Sequence, residues 1–281
     1  MGQTFEVPTA IRLRLAHACL EHLARQVGVR ALHVKGVALD PSLSAGRSPS
    51  TDCDLLVDPG AVDPLLRVLE ESGWRPVTSF AHGSVFAHAA TYHHPVWGTV
   101  DLHRSFPGVD DDAAASFERL WVHRESVTLG GLVCPVPDLD TQRLLLLVHA
   151  ARDATGHAAH DTEMAWWQLD TAGRDRLDAL ADALGGTVPL ALVTGRPERA
   201  AGRPDEHLWR ALHAQSGSTA VWLAQLRDAR GPRAALRVLR RSVRVNPDHL
   251  ALRLGHVPDS EELRREWWAR WWRAARSLRR S

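Results

Sequence analysis

Two carboxylates stand at the mouth of a short apolar strand, where Thr51-Asp52-Cys53-Asp54 runs directly into Leu55-Leu56-Val57. Strand side chains alternate between faces, so Asp52 and Asp54 point the same way and Cys53 turns inward as a small apolar residue. Like charges this close repel unless a divalent cation lies between them. Hard cations such as Mg²⁺ take carboxylate oxygens completed by substrate phosphate. The run therefore reads as half of a metal site. A second short strand, Gly98-Thr99-Val100-Asp101-Leu102-His103, carries one more acid. If the two strands pair, Asp52, Asp54 and Asp101 form a three-acid cluster.

Upstream, Ala31-Leu32-His33-Val34-Lys35-Gly36 reads as an apolar strand ending in a lysine and a glycine. Of the 34 basic residues Lys35 is the sole lysine, the rest being arginines. A lone lysine beside a glycine points to a position that needs a compact ammonium, with chance survival as the plainer alternative. Gly36 lets backbone N–H groups approach a phosphate closely. The loop over residues 41–50 adds Ser44, Arg47, Ser48 and Ser50, all suited to phosphate contacts.

In order, then, the chain has a strand ending in Lys35-Gly36, Arg47, the Asp52-x-Asp54-Leu-Leu-Val strand, a helix ending in Glu71-Ser72-Gly73-Trp74, and Val100-Asp101-Leu102-His103. This order resembles the uncharacterised nucleotidyltransferase-like family of the DNA polymerase β superfamily, over roughly the first half of the chain. Leu144 to Ala151, with His149, looks like the leucine-rich helix that follows the catalytic domain in that family. Where the wider superfamily has Gly-Ser after its first strand, this chain has Lys35-Gly36. The resemblance implies a reaction class, transfer of a nucleotide from an NTP donor. It does not imply an acceptor: a small molecule, a peptide or protein, or an RNA end all fit.

Periodicity divides the chain near residue 137. Helical spacing covers 9–27, a strand 31–35, a strand 53–58 and a helix 60–72. Residues 77–80 and 84–91 read as strands around His82-Gly83, residues 99–103 as another. A helix over 113–121 and a hairpin through Gly130-Gly131 follow. The expected class is α+β: a small mixed-sheet nucleotidyltransferase domain over 1–137, then a helical module over 138–281. Helices are expected there at 139–153, 163–184, 205–214, 218–229, 232–243 and 259–279, with loops at 195–197 and 201–204.

Composition narrows the function classes. A chain of 281 residues, 44% hydrophobic, is long enough for a catalytic core and a second module. The net charge of +1 exerts no global pull toward nucleic acid. Three cysteines, Cys19, Cys53 and Cys134, have no Cys-x-x-Cys spacing, which argues against a disulfide framework or zinc knuckle. No leader pattern opens the chain, and the longest apolar run, Leu144 to Val148, is far too short to cross a bilayer. A cytoplasmic protein is expected.

The 16 histidines offer a rival site. His149, His160 and Asp161 suggest a His/Asp metal phosphohydrolase, but Gly156 and Ala158-Ala159 read as a solvated polar loop, which is the favoured reading. His149 lies inside an apolar helix, either facing the cleft or buried and bonded to backbone. His103, two residues after Asp101, shares its strand face and either contacts phosphate or is edge-strand solvation. The tail from Glu261 to Arg280 carries Trp267, Trp268, Trp271 and Trp272 on one helical stripe and seven arginines against three acids. The tryptophans are expected to cap the helical core, while the basic face suits an anionic partner.

The sequence thus predicts a nucleotidyltransferase dependent on Mg²⁺, with Mn²⁺ an acceptable substitute. Asp52, Asp54 and Asp101 are the catalytic carboxylates, Asp52 and Asp54 holding metal and Asp101 either binding a second metal or acting as general base, and Lys35, Gly36, Arg47, Ser48 and His103 surround the phosphates. The alternatives are a non-catalytic nucleotide- or partner-binding module of the same fold and the His/Asp phosphohydrolase.

Overall fold

The computed structural model describes residues 7–81, 86–109, 112–153, 156–242 and 244–278. Helix α1 (Thr9–Gln26) leads to strand β1 (Ala31–Val34), a short α2 (Pro41–Ser44), β2 (Asp52–Val57) and α3 (Val62–Glu71). Then come β3 (Arg75–Pro76), β4 (Ala89–His94), β5 (Gly98–His103), α4 (Ala113–Val122), and the hairpin of β6 (Glu125–Leu129) and β7 (Leu132–Val136). Beyond this the chain is helical: α5 (Leu139–Ala150), α6 (Ala158–Thr162), a π-helical turn Glu163–Trp167, α7 (Thr171–Leu184) and α8 (Thr187–Val193). The last elements are α9 (Glu206–His213), α10 (Ser218–Asp228), α11 (Pro232–Ser242), α12 (Pro247–Leu254) and α13 (Ser260–Leu278). The expected α+β class with a small mixed sheet followed by helices is the observed one.

The main sheet has the order β1-β2-β5-β4-β3. β2 and β5 are parallel and every other pair is antiparallel. Alternation along β2 and β5 divides the side chains between two cores. Cys53, Leu55, Val57, Val100 and Leu102 pack with α1 and α3 on one face. Leu56, opposite Leu32 of β1, packs with Leu144 to Val148 of α5 on the other. The acids share the face of Leu56, so they open toward α5. This second core takes residues from both sides of residue 137 and extends to Trp209 of α9.

Several elements differ from expectation. The strand expected over 84–91 begins at Ala89 and continues to His94, with residues 82–85 outside the described set. The strand expected at 77–80 is reduced to Arg75–Pro76. The N–H groups of Val77 and Thr78 both bond to the carbonyl of Thr91, the pattern of a β-bulge that ends pairing. The helix expected over 163–184 breaks before α7, because the Asp170 side chain accepts from the Gly173 N–H and caps a new start. Helices α2, α8 and α12 were not expected. α8 is buried from Thr187 to Leu192, which erases the one-sided periodicity by which a surface helix is recognised.

Two surface expectations are overturned. The supposed solvated loop at His157–Asp161 is mostly helix α6, and Asp161 is fully buried. Its burial is possible because Arg47 forks onto both carboxylate oxygens, at 2.7 and 3.1 Å. The tryptophans of α13 do not cap a core: Trp268 and Trp272 are 60% and 65% exposed. The neighbouring helices bury too little to receive them, since α11 has no buried residue and α12 has only Leu250. Among the described residues no helix is long and apolar enough to cross a membrane.

Candidate active site

Register brings the acids together. In the parallel pair β2–β5, Asp54 stands directly opposite Asp101, and Val34 flanks Asp54 from β1. The next residue after Val34 is Lys35, whose Nζ donates to Asp54 Oδ1 at 2.8 Å. The same oxygen is 2.7 Å from His103 Nε2. Ligand atoms of Asp54, Asp101 and His103 all lie within 4.8 Å of one another, the one such metal-ligating group found among the described residues.

The two facing carboxylates are pushed in opposite directions. Burial opposes the charge on Asp54, but the Lys35 ammonium and the His103 contact outweigh it and hold this acid well below the usual carboxylate range. Asp101 is raised, first by burial and then by the Asp54 charge, and a 2.7 Å bond from the Thr91 hydroxyl only partly offsets this. Such divergent environments separate an ionised ligand from a group prepared to take a proton.

Asp52 shares the strand face but not the cluster. Its carboxylate accepts from the Ser50 hydroxyl at 2.9 Å, and the same hydroxyl reaches the Asp52 carbonyl at 3.0 Å. Gly36, at φ 50°, lies so close to this serine that an added Cβ would be 3.1 Å from Ser50 Cβ. The glycine therefore lets the Lys35 turn close against the Asp52 loop. Lys35 itself has φ 58° and ψ −171°, a strained backbone for a residue with a side chain. Ser48 is exposed on the loop, and Arg47 is turned to Asp161. Thus Lys35, Asp54, Asp101 and His103 are gathered in contact, Asp52 and Gly36 border them, and Arg47 and Ser48 stand further out.

Several site-wall residues escaped sequence reasoning. Thr91 orients Asp101, and the His88 ring lies 5.3 Å from that of His103. Phe106 stacks near His103 at 5.7 Å and carries Lys35 Nζ over its ring at 5.5 Å. Arg152, in the turn just past the C-cap of α5, lies over Phe106 at 5.8 Å. Its N–H bonds back to the carbonyl of His149 at 3.0 Å, which sets the two residues at the same end of the helix. His149 does face this cleft: burial, then Lys35 and Arg152, lower its pKa to about 3.

The profile of a family described as uncharacterised nucleotidyltransferase matches residues 8–199. The chain belongs to this family. The nucleotidyltransferase match takes in every residue of the site described above, from Lys35 to Arg152. No curated protein matches the chain significantly. Among solved structures, a lincomycin-bound lincosamide antibiotic adenylyltransferase, LnuA, is 16% identical with a TM-score of 0.39, covering 54% of this chain and 94% of the other. The antibiotic-resistance factor ANT(2'')-Ia is 12% identical with a TM-score of 0.41, covering 60% and 91%.

Proposed function

We propose that this member of the nucleotidyltransferase family is a metal-dependent enzyme that moves a nucleoside monophosphate from an NTP to an acceptor hydroxyl and releases pyrophosphate. The observation that carries the reading is the register pair Asp54–Asp101, two facing carboxylates with the only lysine of the chain bonded to one of them. The donor set fits a hard divalent cation: two carboxylates, with the imidazole of His103 within reach. Asp54 and Asp101 would hold Mg²⁺ or Mn²⁺, with Asp52 bordering the site. When bound, the cation offsets triphosphate charge and polarises the α-phosphorus.

Asp101 takes the proton of the acceptor hydroxyl as its oxygen attacks the α-phosphorus in line. A new P–O bond forms while the bond from the α-phosphorus to the bridging oxygen breaks, and pyrophosphate departs with that electron pair. Lys35 offsets charge on the phosphates, exchanging its Asp54 contact for them. Thr91 keeps the Asp101 carboxylate aimed. The helical module from residue 138 onward supplies the opposite wall of the cleft. The absence of a second metal-ligating group at His160 and Asp161 among the described residues weighs against the phosphohydrolase alternative.

Label position tests the reaction. The chain is incubated with NTP labelled at either the α or the γ phosphorus, with fractionated cell extract as acceptor source. Label from the α position should enter a product and label from the γ position should appear in pyrophosphate, both stopped by EDTA. Entry of γ label into the product would identify phosphoryl transfer and sink the proposal.

A further inference from the structure

α5 ends against the cleft, and its last turn with the residues just past its cap presents two polar groups, His149 and Arg152, that the mechanism above does not use. Arg152 lies against two aromatic rings, its Cζ 5.7 Å from the centroid of Phe86 and 5.8 Å from that of Phe106. Its Nε is buried and has no hydrogen-bond partner among the described residues, and the same is true of His149 Nδ1. Polar atoms buried in this way are ordinarily paired, and Arg152 as a whole is half-buried. Burial lowers the Arg152 guanidinium to about 10, and the carboxylate that offsets its charge is Asp54. Asp54 is already bonded to Lys35 and His103. A divalent cation on Asp54 would leave Arg152 without that compensation, so the complete site needs further negative charge here.

The turn that carries Arg152 is held firmly. Asp153 accepts from the N–H groups of His157 and Ala158 at 2.7 and 3.1 Å, capping α6. Arg47 bridges from the Asp52 loop to Asp161 of α6. Arg47 therefore braces the α5–α6 elbow against the catalytic strand. Lys35 Nζ and the Arg152 guanidinium both lie over Phe106, one arriving from the end of β1 and the other from the end of α5.

We propose that the C-terminal end of α5 and the turn that follows it form a binding site for the β- and γ-phosphates of the donor nucleotide, with Arg152 as its main ligand and His149 beside it. This rests on the nucleotidyl-transfer reading, because it assigns those phosphates to the group that leaves. A planar guanidinium packed against two phenyl rings suits two oxygens of one phosphate better than a freely moving ammonium would. Its side chain approaches from the helical wall, whereas Lys35 approaches from the sheet. The two cations would hold the departing pyrophosphate between them.

Calorimetry on the full chain separates the possibilities, using Mg²⁺·NTP, the matching NMP and inorganic tripolyphosphate as probes. Arg152→Gln should weaken tripolyphosphate and NTP by about tenfold or more and leave NMP within about twofold. Arg152→Lys should fall between the two, and His149→Gln should weaken the same two ligands to a smaller extent. Circular dichroism and the thermal midpoint of each variant report whether the fold is retained. Equal loss of NMP and NTP in Arg152→Lys, or unchanged tripolyphosphate binding in Arg152→Gln, would overturn the assignment. The double variant Asp54→Asn/Asp101→Asn keeps the two readings apart. Loss of NTP binding there but not in Arg152→Gln defeats only the phosphate site. Tripolyphosphate binding that needs Arg152, with NTP binding indifferent to the acids and to Mg²⁺, defeats only the nucleotidyl-transfer reading.

Discussion

At the residue scale, Asp54 is the junction of the site. It is bonded to Lys35 from one neighbouring strand and to His103 from the other, and it faces Asp101. Asp54→Asn removes repulsion on Asp101 but also removes the partner of Lys35. The two effects oppose each other, so the thermal midpoint should move by less than about 5 °C while nucleotide transfer is lost. A collapsed circular dichroism spectrum would show instead that the acid is structural. Lys35→Gln keeps length and polarity but not charge, and NTP affinity measured by calorimetry should fall about tenfold or more. Lys35→Arg should not restore it, because the position is largely enclosed and holds a compact ammonium on a single oxygen.

At the element scale, α1 is joined to β1 by a buried polar chain. His17 Nδ1 and His33 Nδ1 are 2.7 Å apart, and His33 Nε2 lies 3.1 Å from Glu21 Oε2. Burial, then His33, lowers the His17 pKa from 6.5 to about 3. The unfolded chain therefore binds a proton at this residue that the folded chain refuses. Stability is at its full value above about pH 6.5 and should decline as pH falls from there toward 3. Thermal midpoints measured between pH 7.5 and 5 should fall, and His17→Gln should flatten that slope; an unchanged slope would place the acid sensitivity elsewhere. His17 and Glu21 share one face of α1 at i,i+4, but nothing in the sequence docks His33 of β1 onto that face, so this chain of contacts was not legible. Strand β2 itself was legible. Alternating Asp52, Asp54 and Leu56 against Cys53, Leu55 and Val57 assigned both faces of β2 correctly. The register that sets Asp54 against Asp101 is a long-range pairing, and only the assembled sheet discloses it. Arg47 was read as a phosphate contact from its charge, whereas its guanidinium engages Asp161, a partner 114 residues away. The α8 helix was invisible for the opposite reason, being apolar on all sides.

At the scale of the whole molecule, the core crosses from the sheet into helices that lie beyond the family match at residue 199. Trp209 of α9 is 3% exposed, stacks with Phe86 at 5.9 Å, and lies so near Gly108 that an added Cβ there would be 2.5 Å from its ring. Phe86 in turn packs on Arg152, so the appended helices support the cleft wall. Trp209→Ala should cost about 3–5 kcal/mol in chemical denaturation. A loss below about 1 kcal/mol would mean that α9 is not integral to this core. The exposed Trp268 and Trp272 lie outside it, and their substitution should leave stability nearly unchanged. On the proposed function, Asp54 and Asp101 together hold a cation on which the donor triphosphate docks. Calorimetric titration of the four NTPs, with Mg²⁺ and with EDTA, into the wild type and into Asp54→Asn/Asp101→Asn decides the matter. Binding by the wild type that requires Mg²⁺ and is lost in the double variant is the predicted result. Equal binding by both proteins, or binding indifferent to EDTA, would contradict it.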